Sequence, residues 1–219
     1  MGLKSRKEIS FVGGYFEDIV LYLIRIAKCL NKKTIVVDHT TAHRFYPLVP
    51  HIRGVEPVDK VMDYRGVGYT FGSCSEKEKS RDMNEADCIF RLYDISGYQG
   101  ENDPCILVTD ESKRNIDIME TLSLKKESMI IIREYTGAVS KRIETIADSF
   151  NCNRVFALPV NIKDRKNAVM AEHNDMYCFT SVSKEMEKLL YEIAAFIFPE
   201  EMTKELKKAI RHGAKGVFS

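Results

Sequence analysis

The residues with the clearest chemical meaning lie at one turn, Val12-Gly13-Gly14-Tyr15-Phe16-Glu17-Asp18. A Gly-Gly pair between a short apolar run (Ile9 to Val12) and a helical pattern (Tyr15 to Leu30) is a setting in which backbone N–H groups gather a phosphate. A nucleotide site also needs a lysine to neutralise the β- and γ-phosphates and a Ser or Thr hydroxyl to hold Mg²⁺. This turn offers carboxylates instead, Glu17 and Asp18. A carboxylate about 4 Å from a phosphate opposes it by up to roughly 4 kcal/mol at an effective dielectric of about 20. Discounted to about 2 kcal/mol for screening, that is still about a thirtyfold loss of affinity. Phe16 is expected to add bulk where only glycine lets phosphate reach the backbone. Two other readings stay open. The acids could serve only the helix, whose N-terminus favours negative charge, with Glu17 swung outward, or Asp18 could recruit a metal.

The elements that must position this turn alternate along the chain. Strand patterns are expected at 9–12, 34–37, 68–71, 88–93, 104–109, 129–133 and 154–158. Helical patterns are expected at 15–30, within 76–85, and at 112–122, 138–150, 164–170, 183–198 and 201–212. Several strands are continuously apolar, as burial on both faces of a parallel sheet requires. The order predicts one α/β domain over residues 1–219, doubly wound and mostly parallel, with helices on both faces. Residues 39–86, rich in Pro, Gly and charge, read as a largely irregular insertion suited to contacting a partner.

With these elements in place, the turn resembles the deviant Walker A motif, K-G-G-x-G-K-[ST], of the MinD/ParA family of P-loop ATPases. The resemblance spans roughly residues 8–198. Lys33 to Asp38 is similar to the family's second strand with its terminal acid. Ile106 to Thr109 followed by Ser112 is similar to the segment after its switch region, and Val155 to Pro159 to its late strand. Of the six fixed motif positions only Gly13 and Gly14 match. Val12 stands at the extra lysine, Phe16 at the third glycine, Glu17 at the P-loop lysine and Asp18 at the Mg²⁺-binding hydroxyl. Asp38 and Asp94 are the retained acids, Asp94 about two residues late. The resemblance and these departures from it together imply a domain that has lost catalysis, with no cofactor expected, and that persists as a protein-binding scaffold or regulator of a larger assembly of the pilus, secretion, division or positioning type. Contact is expected through 39–86 and the face around Gly13-Gly14. The alternative is a divergent ATPase or nucleotide-sensing switch binding ATP·Mg²⁺ weakly, with Arg44 or Arg91 as its cations.

Composition narrows the function classes. The 219 residues carry 33 basic and 32 acidic side chains, net +1, which argues against a nucleic-acid binder working by bulk electrostatics. A chain of this size buries about 70% of its unfolded surface without staples. The six cysteines show no C-x-x-C spacing and read as reduced thiols of a cytoplasmic protein. No apolar run approaches the roughly 18 residues of a membrane span. There is no signal-peptide pattern, and Arg6 stands where N-myristoylation wants Ser or Thr.

Weaker signals remain. His39 and His43 have the i, i+4 spacing of a zinc pair but no H-E-x-x-H, and Cys152 has no placed base. Residues 203–219 combine a basic excess with an apolar stripe of Met202, Leu206 and Ile210, similar on its face to a membrane-targeting helix. A solvated helix with a frayed tail is the expectation there, with weak contact to a membrane or an acidic surface as the alternative.

Overall fold

The computed structural model describes residues 7–48, 61–71, 81–98, 104–122, 124, 127–150, 152, 154–173 and 181–213. The strands are β1 (Lys7–Gly13), β2 (Thr34–Asp38), β3 (Met62–Tyr64), β4 (Val67–Phe71), β5 (Cys88–Tyr93), β6 (Cys105–Asp110), β7 (Met129–Arg133) and β8 (Val155–Ala157). The helices are α1 (Glu17–Cys29), α2 (Arg81–Glu85), α3 (Lys113–Met119), α4 (Ser140–Ser149), α5 (Ile162–His173), α6 (Lys184–Ile197) and α7 (Thr203–Gly213). They build one eight-stranded sheet in the order β3-β4-β2-β5-β1-β6-β7-β8. Every pairing is parallel except β3 with β4.

Alternation along the apolar strands sorts the core into layers. Phe11, Val36, Phe90, Ile106, Val108 and Ile131 join α1, α6 and α7 in the main cluster. Their neighbours Val12, Leu107, Ile130 and Ile132 pack with Ile116 and Met119 of α3 and Ile143 and Ile146 of α4. Ile35, Val37 and Ile89 meet Met83 of α2. A side-chain period of two therefore sends successive residues to opposite helical layers, and the sheet is covered on both faces.

The 39–86 stretch is more ordered than an irregular insertion where it is described. Val67 to Phe71 pairs in register with β2 from Thr34 to Asp38, so β4 is part of the sheet. Met62–Tyr64 adds an antiparallel edge strand that the sequence pattern did not announce. Residues 49–60 and 72–80 of that stretch lie outside the described residues. The apolar stripe of the C-terminal helix also has a different use. Leu206 and Ile210 are buried in the main core, while Met202 is exposed. Through residue 213 the stripe therefore belongs to the protein interior and is not free to enter a lipid surface. Among the described residues no helix is long and apolar enough to cross a membrane.

Candidate functional site

The carboxyl ends of the parallel strands converge where the strand order reverses around β1, the crevice in which open α/β sheets bind ligands. Gly13 sits between its two neighbouring strands. It pairs with Val108 of β6 and lies one step beyond the Val12–Tyr93 pair with β5, next to Asp94. Its φ is +116°, and a Cβ there would lie 2.0 Å from the Val108 carbonyl oxygen, so only glycine fits. Gly14 N–H donates to that carbonyl at 3.1 Å, and Tyr15 follows at φ 57° with its ring exposed. The chain then enters α1 at Glu17.

Phe16 does not block the turn as its bulk suggests. Its ring is fully buried, 6.3 Å from Phe11, inside the main core. What covers the turn is Arg44, whose guanidinium lies 5.7 Å from the Phe16 ring centre. Its Nη1 would be 3.3 Å from a Cβ on Gly14. Arg44 Nη1 donates to Glu17 at 3.4 Å and Nη2 to Asp94 at 3.0 Å. One guanidinium thus bridges α1, the segment after β2 and the end of β5. Asp94 also accepts from Thr41 N–H at 2.7 Å.

Glu17 consequently does not swing outward; its carboxylate turns toward Arg44. Burial pushes the Glu17 carboxyl above its ordinary range, with Asp18 adding to the rise, despite the opposing pull of the backbone and Arg44. Asp18 is more enclosed. It accepts a two-point contact from Arg133 at the end of β7, Nη1 at 2.8 Å and Nη2 at 3.0 Å. Burial works against the charge of Arg133, but Asp18, with lesser help from Asp164 and Glu17, outweighs it and raises the guanidinium's pKa. Fork-to-carboxylate geometry of this kind is the strong form of ion pair.

Asp38 is fully buried and committed to local structure. It accepts from Thr40 N–H at 2.9 Å, the Thr40 hydroxyl at 2.6 Å and Phe45 N–H at 2.8 Å. The Thr40 hydroxyl in turn accepts from Arg44 N–H at 3.1 Å. Asp38 therefore shapes the loop that carries Arg44 and does not face an open cleft. Arg91 points elsewhere, to Glu8 of the neighbouring β1 at 3.0 Å, and supplies nothing to the turn.

A cleft of about 650 Å³ opens beside Gly13 and Gly14, with Glu17, Asp94, Arg44, Arg114 and Asn115 on its walls. A second cavity of about 240 Å³ lies across the turn, bounded by Tyr15, Asp18, Arg133, Val160 and Val169. His39 stacks on Tyr93 at 4.8 Å, whereas His43 meets Phe71 edge-on at 6.2 Å, so the two imidazoles do not converge. Among the described residues no group of three or more His, Cys, Asp or Glu could hold a metal ion. The Cys152 thiol donates to the Ser128 carbonyl at 3.0 Å, and burial raises its pKa, as suits a packing residue. Sequence reasoning missed Arg133. Its only signal was a cation closing the apolar run Met129 to Ile132, at the sheet end where β1 delivers two acids.

Solved structures share this architecture, among them two with a TM-score above 0.5. One is a ParA family ATPase from Chlorobium tepidum, with a TM-score of 0.52 and 11% identity over 96% of this chain and 99% of that one. The other is a plasmid partition protein from Borrelia burgdorferi bound to AMPPNP, with a TM-score of 0.55 and 11% identity over 90% of this chain and 100% of that one. The chain has the ParA-type P-loop fold. No protein-family model matches the chain, and no curated protein matches it in sequence.

Proposed function

We propose that this chain is a MinD/ParA-like domain without ATPase activity that serves as a protein-binding scaffold or regulator of a larger assembly. The supporting observation is the pairing of both acids at the β1–α1 turn with arginines of the chain itself, Glu17 with Arg44 and Asp18 with Arg133. The Borrelia relative of the same fold binds an ATP analogue. The residues of this chain do not fit ATP·Mg²⁺. Val12 and Glu17 supply no ammonium for the phosphates, and Asp18 has no hydroxyl for the metal and is already occupied by Arg133. A phosphate approaching Gly14 would have to displace Arg44, leaving Glu17 and Asp94 to repel it.

The competing reading is a divergent ATPase that recruits Arg44 and Arg114, since both line the cleft with Gly13 and Gly14. Calorimetric titration with ATP·Mg²⁺ into the millimolar range separates the two. The scaffold reading expects no saturable binding below about a millimolar. Micromolar binding that disappears in Arg44→Ala would overturn it.

A further inference from the structure

The hairpin of α6 and α7 has equal numbers of acidic and basic residues over 184–213, yet it does not mix them evenly. Glu200 and Glu201 at its bend go to Lys32, at 3.3 and 2.7 Å. Between the two helices runs a groove of about 440 Å³, and there Lys184, Lys188, Lys207 and Arg211 face a single carboxylate, Glu187. Lys184 and Lys188 recur on one stripe of α6, and Lys207 and Arg211 on one stripe of α7, each at i, i+4. All four are exposed, and among the described residues none takes an ion pair. By contrast Arg44, Arg91, Arg133, Arg142 and Arg165 all have carboxylate partners. The groove's floor includes buried Ile210, and its wall includes Tyr191, whose ring lies 5.9 Å from Lys207 Nζ.

We propose that this groove is a docking site for an acidic segment of a partner protein. Four like charges gathered against one carboxylate repel one another, and a carboxylate-rich strip entering between the helices relieves that repulsion. Among anionic partners a protein segment is favoured over lipid, because the apolar stripe of α7 that could anchor in a membrane is already buried. The half-buried Tyr191 ring gives an aliphatic or aromatic side chain of the partner a place to rest. The groove shares no lining residue with the cleft at Gly13-Gly14, so the proposal stands whether or not that cleft takes nucleotide.

The test is fluorescence anisotropy of a labelled octaglutamate peptide with the full chain at low and moderate salt. Octaserine peptide and vesicles of phosphatidylserine with phosphatidylcholine run beside it. Octaglutamate should bind, weaken as salt rises, and lose roughly tenfold or more in affinity in Lys188→Glu/Arg211→Glu. The charge-neutral pair Lys188→Gln/Arg211→Gln should lose less, and Lys163→Glu/Lys166→Glu on the exposed face of α5 should leave binding unchanged. A thermal melt of each variant confirms that it folds. Absence of binding would overturn the proposal, as would equal losses in the α5 variant. Groove-dependent binding to the vesicles that exceeds binding to the peptide would replace the protein segment with a membrane surface.

Discussion

The two sides of the β1–α1 turn solve the same electrostatic problem differently. On the β7 side, Asp18 and Arg133 form a closed, two-point pair with side chains 4% and 15% exposed. On the β5 side, Arg44 is shared between Glu17 and Asp94, about a third exposed, and lies on the wall of an open cleft. Desolvation makes the first pair intolerant of losing a partner, while water stands ready to replace either partner in the second. The two neighbouring acids are therefore unequal in kind. Asp18 is built into the fold, and Glu17 shares a partly exposed arginine on the wall of the cleft.

The largest effect should come from Arg133→Ala, which strands the Asp18 carboxylate in the interior and costs about 3–5 kcal/mol in urea unfolding. Replacing both partners, as in Asp18→Leu/Arg133→Met, should recover much of that loss, because a buried pair resists halving more than removal. Next, Glu17→Lys puts a cation back at the turn and should strengthen ATP·Mg²⁺ binding about thirtyfold, read by calorimetry. No gain would mean that Arg44 or the Asp18–Arg133 pair, and not Glu17, bars the nucleotide. Arg44→Ala should cost only about 1 kcal/mol of stability. An equal loss in Arg44→Ala and Arg133→Ala would erase the distinction between the two sides.

The smallest effect concerns pH. Because the folded-state pKa of Glu17 is raised, its protonation favours the fold: the contribution is complete below its unfolded value near 4.5 and is lost as pH rises through the folded value. Glu17→Gln removes this dependence. Wild-type stability should therefore fall relative to the variant between that pH and neutrality, as urea melts at both ends would show.

Much of the architecture was legible from residue pattern. Continuous apolar runs such as Cys88 to Phe90 and Met129 to Ile132 marked the buried strands, and the Gly13-Gly14 pair marked the crevice, because burial on two faces and a positive φ each leave few residue choices. The three-residue β3 was not legible, since Met-Asp-Tyr is too short to show a period and its pairing is set by β4. Nor could the sequence say which way Phe16 would turn, because an aromatic next to glycine satisfies either a blocked turn or a filled core. The arginine partners were hidden for a related reason. Arg133 lies 115 residues from Asp18 and meets it only through the register of β7 with β6. Likewise the stripe of Leu206 and Ile210 reads the same whether lipid or protein covers it.

Among the described residues both margins of the sheet carry three-residue strands, β3 and β8, and β3 runs against the direction of all the others. An incoming strand would find a ladder only about 10 Å long on either side. Assembly by β-augmentation is thereby discouraged, as is runaway edge-to-edge polymerisation. A complex formed through the proposed α6–α7 groove should leave the amide hydrogen-exchange rates of β3 and β8 unchanged.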